Sequence, residues 1–295
     1  MTQPRRIGFI GLGMMGAPMV QCLVNGGFDL FIDDADAARA DTLATQTGAQ
    51  RLSKDNAASL DALITMLPNS AIVESVLLGG GADGQASLLA KGTVVIDMSS
   101  SEPERSRKLG AVLKERGLAY LDAPVSGGVK KAKEGTLAIL VGGSAEVLAR
   151  CKPVLEAMGK SILHIGGAGA GHAAKALNNY VSAAGLAATV EALHVAQRFG
   201  IEPGVMTDVL NASSGRSNTS ENKVKPFMLS GTFASGFALQ LMNKDLKIAR
   251  SLAQSVGYPM TLGMTCTAMW DEAAQRSTPA TDHTEMYRLL DDDAH

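Results

Sequence analysis

The segment Gly11-Leu12-Gly13-Met14-Met15-Gly16 constrains this chain more than any other stretch. It follows an apolar, strand-like run, Ile7 to Ile10, and opens a helix-like one, Ala17 to Asn25. Each glycine has a physical purpose in such a loop. Gly11 permits a tight turn, Gly13 leaves no Cβ in the way of an approaching pyrophosphate, and Gly16 lets the helix pack closely on the strand. The helix N-terminus then offers N–H groups and the positive end of its dipole to phosphates. Taken alone the pattern also fits an ordinary glycine-rich turn. Its place after the first strand, with Asp34 closing the next one, points to dinucleotide binding by Gly11, Leu12, Gly13, Met14, Met15 and Gly16. Asp34 lies at the offset of roughly 20 residues expected of a ribose-binding acid. A carboxylate there accepts hydrogen bonds from ribose hydroxyls and repels a 2′-phosphate. This predicts NAD as the cofactor, with NADP the second choice because Arg39 is near in sequence.

Further apolar runs continue the pattern: Leu30 to Ile32, Ala62 to Met66, Thr93 to Ile96, Ala119 to Leu121 and Leu137 to Val141. Helix-like segments such as Glu102 to Glu115 lie between several of them. Strands alternating with helices predict an α/β Rossmann fold, a doubly wound parallel sheet. After Ile165 no strand-rich region follows. Ala173 to Phe199 reads as one long helix and Leu241 to Val256 as another, ended by Gly257 and Pro259. The expected organisation is therefore a dinucleotide-binding domain over 1–165 and an all-α C-terminal domain over 166–295. The change falls at the glycine-rich stretch Gly166 to Gly171.

Composition narrows the function. Of 295 residues, 46% are hydrophobic and 19% charged, which supports a packed core. The formal net charge of -2 and aromatic content of 4% give no basic field or stacking platform for nucleic acid. No apolar stretch is long enough for a membrane span, and no signal peptide fits the N-terminus. Cys22, Cys151 and Cys266 are far apart and odd in number, so neither a disulfide framework nor a metal site is expected, and the setting predicted is cytoplasmic.

Three polar constellations could carry chemistry. His172, Lys175, Asn178, Asn179 and Ser182 fall on one helical face amid apolar residues. Lys175 and Asn179, one turn apart, can address the same small ligand. An unperturbed lysine, with pKa roughly 10.4, is too strong a base for work at neutral pH, and burial or a neighbouring cation would lower it. A solvated helix face is the competing explanation. In Asp122-Ala123-Pro124-Val125-Ser126-Gly127-Gly128, the Ser126 hydroxyl and the N–H groups of Gly127 and Gly128 could cradle a carboxylate, or the glycines could simply serve a turn. Leu67-Pro68-Asn69 and Ser99-Ser100 follow strands, where ligand-lining loops lie in such sheets. Asn243-Lys244-Asp245 stands at the start of a helix. Lys244 could approach the nicotinamide or a substrate anion, or form an exposed pair with Asp245.

Together these motifs, with Gly135-Thr136-Leu137 and Lys244-Asp245-Leu246, resemble the 3-hydroxyisobutyrate dehydrogenase, or β-hydroxyacid dehydrogenase, family over nearly the whole chain. Tartronate semialdehyde reductases and, more distantly, 6-phosphogluconate dehydrogenases are relatives in that family. The resemblance implies a Rossmann domain, a long connecting helix and a helical C-terminal domain that builds homodimers or homotetramers. It implies Lys175 as general acid/base, Asn179 as a substrate-orienting residue and Ser126, Gly127 and Gly128 as the substrate-carboxylate site. Leu67, Pro68 and Ser100 map onto cofactor-contacting positions, and Lys244 onto a lysine near the nicotinamide. Ser100 stands where many members carry threonine, with the hydroxyl kept. Around Ser213-Ser214-Gly215-Arg216 the chain departs from the 3-hydroxyisobutyrate subgroup, because Asn218 and Thr219 stand near the place of its usual aromatic residue. Arg216 could meet a second anionic group or serve a salt bridge.

The activity implied is NAD-dependent oxidation of a small 3-hydroxy carboxylate to its semialdehyde or keto acid, and the reverse reduction. Two alternatives share the architecture: an imine reductase-like oxidoreductase, and a non-catalytic dinucleotide-sensing module. Lys175 speaks against the first, and Lys175 with Asn179 against the second.

Overall fold

The computed structural model describes residues 3–79 and 84–291. The chain divides into two compact units, Met1–Lys175 and Ala176–His295. The first holds strands β1 (Arg6–Ile10), β2 (Asp29–Asp33), β3 (Gln50–Arg51), β4 (Ala62–Thr65), β5 (Val94–Asp97), β6 (Ala119–Asp122), β7 (Val125–Ser126), β8 (Leu137–Gly143) and β9 (Gly159–Gly166). Between them run helices α1 (Gly16–Asn25), α2 (Ala37–Thr47), α3 (Lys54–Ala57), α4 (Ser70–Leu78), α5 (Pro103–Glu115), α6 (Gly128–Lys133) and α7 (Ala145–Glu156).

Six strands pair in parallel in the order β3-β2-β1-β4-β5-β6, the Rossmann arrangement. The two-residue alternation of strands sends neighbouring side chains to opposite faces. Ile7, Phe9, Ile32, Ile64 and Ile96 pack with Met19 and Leu23 of α1 and Val154 of α7. Phe31, Leu63, Val95 and Tyr120 pack with Val73 and Leu77 of α4 and Leu109 and Leu113 of α5. Both faces are therefore covered, and the central strands read as unbroken apolar runs.

Beyond β6 the mostly parallel sheet takes in antiparallel pairings. β8 runs antiparallel to both β6 and β7, and β9 adds to β8 in parallel. A parallel return needs a crossover of about a dozen residues or more. The β7–β8 connection, carrying only the short α6, is too brief, whereas β8 and β9 are joined through the longer α7. Pro124 interrupts β6 and β7, and its carbonyl still accepts from Leu140 N at 3.0 Å.

A single continuous helix, α8 (Ala170–Phe199), starts in the first unit and continues into the second. The second unit adds α9 (Pro203–Ala212), α10 (Asn218–Asn222), a π-helical turn (Val224–Leu229), α11 (Leu239–Ser255), α12 (Thr261–Gln275) and α13 (Met286–Leu289). Ala183, Leu186, Val190 and Leu193, spaced by three or four residues on α8, pack with Met242, Leu246, Cys266 and the fully buried Trp270. The compact units divide at Lys175–Ala176, inside α8.

Candidate active site

The loop after β1 is built as its glycines require. Gly11 has φ of +101°, and a Cβ on it would lie 2.3 Å from the Met66 carbonyl oxygen. On Gly16 a Cβ would fall 1.8 Å from the Gly11 carbonyl oxygen. Gly13 differs: nothing lies within 4 Å of its Cβ position, so no neighbour in the chain demands a glycine there. An open approach to the backbone is what a pyrophosphate needs. Helix α1 starts at Gly16 with no side-chain cap, which suits an anion at its N-terminus. Leu12 is buried, whereas Met14 is largely exposed.

Asp34, just past β2, is tied into this loop. It accepts from Leu12 N at 2.6 Å and Asp36 N at 2.9 Å, and pairs with Arg39 at 3.1 Å. Burial works against its charged form, but the Asp36 and Leu12 N–H groups and the Arg39 guanidinium outweigh it. Its carboxyl is held below the ordinary value. Arg39 is thus engaged with the acid itself.

Leu67 and Pro68 follow β4, and Ser100 follows β5, the next strand in the sheet. Leu67 N donates to Ser99 Oγ at 2.9 Å, which joins the two loops directly. Ser126 ends β7, and Gly127 and Gly128 follow with φ of +132° and +67°. The glycine-dihedral explanation of this turn therefore holds. Both glycines are also exposed and half-buried Ser126 adjoins them, so the cradle geometry is open as well. Lys130, Lys131 and Lys133 of α6 follow at once, and none forms an ion pair among the described residues.

The start of α8 is anchored by a buried acid. Asp122, at the end of β6, accepts from Gly169 N at 2.7 Å and His172 N at 2.9 Å. Burial pushes its carboxyl up from the ordinary value, while His172 and these N–H groups pull it down in part. Gly171 makes the close approach possible, since a Cβ there would lie 2.3 Å from the Leu140 carbonyl oxygen. Half-buried Lys175 follows one turn later.

In the second unit Asn179 is buried, and its Nδ2 donates to Asp245 Oδ2 at 2.6 Å. Asn178 Nδ2 donates to Asn179 Oδ1 at 3.2 Å. Lys244 Nζ stands 3.5 Å from Asp245 Oδ1. Asp245 lies well inside α11 and is 2% exposed, so an exposed Lys–Asp pair at a helix end is not what forms. Positions 242, 245, 246 and 249 share the buried face of α11, and that spacing was the available sign of a carboxylate needing a partner. Asp122, His172 and Asp245 stand within the motifs read from the sequence, but that reading gave none of them a role of its own. Arg216 pairs with Glu221 at the surface. Among the described residues no cluster of potential metal ligands occurs.

Two family models match. The model for the NAD-binding domain of 6-phosphogluconate dehydrogenase covers residues 6–166, and that for the NAD-binding region of NADP-dependent 3-hydroxyisobutyrate dehydrogenase covers residues 169–290. The chain is 40% identical to 2-(hydroxymethyl)glutarate dehydrogenase of Eubacterium barkeri, over 92% of this chain and 90% of the relative. It is 36% identical to NAD-dependent L-serine dehydrogenase of Pseudomonas aeruginosa, over 97% and 98% of the two chains. The solved structure of Mycobacterium tuberculosis 3-hydroxyisobutyrate dehydrogenase with L-serine superposes with a TM-score of 0.89 at 32% identity, covering 98% of this chain and 99% of that one.

Proposed function

Because the chain belongs to the 3-hydroxyisobutyrate dehydrogenase family of β-hydroxyacid dehydrogenases, we propose that it oxidises a small 3-hydroxy carboxylate with NAD+ and that Lys175 takes the hydroxyl proton. One observation carries this assignment. The glycine loop, Leu67-Pro68, Ser100 and Asp122 all lie at the carboxyl ends of parallel strands, the ligand-binding edge of such sheets, and Asp122 anchors the helical turn that leads to Lys175.

Bound NAD+ would supply the hydride acceptor for the hydroxyl-bearing carbon. Gly11 to Gly16 would seat its pyrophosphate and Asp34 its adenosine ribose, and Leu67, Pro68, Ser100 and Lys244 are the further residues assigned to hold the cofactor. Ser126 and the N–H groups of Gly127 and Gly128 hold the substrate carboxylate. Asn179 orients the hydroxyl, and Lys175 accepts its proton as the carbonyl forms, so one proton goes to the protein and one hydride to the cofactor. In the reverse direction Lys175 returns the proton. The relatives are named as dehydrogenases, which supports this reading over an imine reductase-like enzyme or a non-catalytic sensor.

The first unit is the dinucleotide-binding domain and the second the substrate and oligomerisation domain. Exposed Leu177, Val181, Val195 and Phe199 lie along α8, and such an apolar stripe suits a second copy of the chain. Among the described residues no helix is long and apolar enough to cross a membrane, and the three cysteines are free, in keeping with a reducing cytoplasm.

The test is cofactor absorbance turnover across short 3-hydroxy acids, with NAD+ and NADP+ side by side. Dicarboxylates belong in the panel because Lys130, Lys131 and Lys133 flank the cradle. An NAD+-linked substrate confirms the reaction class, and silence in both directions overturns it.

A further inference from the structure

We propose that His172 is a positioning residue for the reaction: it ties the turn of α8 that carries Lys175 to the loops assigned to the cofactor. The inference rests on Lys175 being the proton acceptor and adds a residue that the reaction scheme does not use.

The His172 ring is fully buried, and both of its nitrogens meet oxygen. Nε2 lies 3.2 Å from the Ser99 carbonyl, which can only accept, so Nε2 carries the hydrogen of that bond. Nδ1 lies 2.7 Å from Ser106 Oγ on α5. The backbone N–H of the same residue donates to Asp122. One residue therefore binds the first turn of α8 to the loop after β5, to α5 and to the end of β6. A side chain that merely filled space would need no such set of partners.

Ser99 extends the connection. Its Oγ accepts from Leu67 N at 2.9 Å, and its own N–H donates to Asp97 Oδ1 at 3.1 Å. Ser100 is the next residue. A line of hydrogen bonds thus runs from the loop after β4, through Ser99, to His172, and Lys175 lies one helical turn on. The acids facing the ring are Asp97, 3.8 Å from Nε2, and Asp122, 3.9 Å from Nδ1. Asp97 is itself held by Thr65 and Ser101 hydroxyls at 3.0 and 2.9 Å. The ring is buried and both of its nitrogens are engaged, so a shift of the ring passes into the turn that follows. Displacing a reacting group by about 1 Å can slow catalysis by roughly a hundredfold.

The experiment compares Lys175→Ala, His172→Ala, His172→Gln, Ser106→Ala and the Lys175→Ala/His172→Ala double variant. The readouts are kcat, KM, NADH affinity by fluorescence titration and thermal melting. His172→Ala is expected to lose roughly 10- to 100-fold in kcat, with KM for the hydroxy acid changed less than about threefold. Glutamine places an amide donor near the position of Nε2, so His172→Gln is expected to recover most of that loss. In the double variant kcat should equal that of Lys175→Ala alone, because a residue acting through the lysine has nothing left to position. An added loss as large as that of the single His172→Ala variant would show general damage and overturn the proposal. So would a folded His172→Ala protein with kcat within twofold of wild type. If His172→Ala does not fold, Ser106→Ala, which removes one oxygen, decides instead. A fall in kcat of about threefold or more with NADH affinity retained supports the proposal, and an unchanged kcat overturns it. The underlying assignment fails separately, if Lys175→Ala itself keeps turnover within a few-fold.

Discussion

Asn179 Nδ2 donates to Asp245 Oδ2 at 2.6 Å, and both side chains are buried in the helical unit. The bond fixes the amide of a residue assigned to orient substrate. Removing the carboxylate leaves a buried donor short of its acceptor, a cost of about 1–3 kcal/mol. Asp245→Ala is expected to lower kcat/KM roughly tenfold or more on that account. A variant that melts earlier yet keeps kcat/KM within twofold shows a bond serving the fold alone.

The three loop glycines should separate in their effects. Gly16→Ala meets the Gly11 carbonyl and is expected to lower Tm by about 5 °C or more. Gly13→Ala meets nothing, so Tm should stay within about 1 °C while NADH affinity falls roughly tenfold or more. Melting curves and fluorescence titration decide it, and undiminished NADH binding by Gly13→Ala counts against the pyrophosphate seat.

Asp34 pairs with Arg39, and its carboxylate would repel a 2′-phosphate placed at the assigned ribose site. Asp34→Ser is expected to free Arg39 and to move the NAD+/NADP+ ratio of kcat/KM at least about tenfold toward NADP+. It also removes the acceptor of Leu12 N, so activity with NAD+ should fall outright. An unaltered ratio places cofactor choice elsewhere.

Acid stability should depend on Asp282. Its burial opposes ionisation, but bonds from His283, Thr284 and Ser235 outweigh it and hold the carboxyl well below the usual carboxylate range. A carboxyl depressed in the folded state stabilises the protein above its unfolded pKa, near 3.9, and that contribution is lost as pH falls below it. Asp282→Asn should therefore melt earlier than wild type at pH 7, with the gap narrowing from about pH 4 downward. A gap independent of pH contradicts the assignment.

Val181→Asp and Phe199→Asp place charge on the exposed apolar stripe of α8. Light scattering after gel filtration should show the wild-type chain as an oligomer and each variant shifted toward monomer. A monomeric wild type removes the stripe from consideration as an interface.

The parallel core was readable because buried central strands are continuous apolar runs and because glycine and acid must stand where they do around a dinucleotide. β3 and β7 escaped notice, being two residues long, and so did β9, whose Lys160, Ser161 and His164 face solvent at an edge. The antiparallel turn of the sheet depends on the brevity of a connection, which periodicity does not report. At the site, Lys175, Asn179 and the Ser126-Gly127-Gly128 turn stood out by residue type and order. Asp122, His172 and Asp245 stood within those motifs without an assigned role, because what distinguishes them is burial and partners contributed from distant positions, some 47 to 73 residues away in sequence.

The continuity of α8 bears on how the protein can be taken apart. No linker separates the units; the chain changes allegiance between Lys175 and Ala176, within a 30-residue helix. A fragment ending there would keep about one and a half turns of helix, too short to hold its shape unaided. The lysine is therefore not a removable part of either half. Domain exchange or split-protein engineering must cut elsewhere, in a loop beyond Phe199.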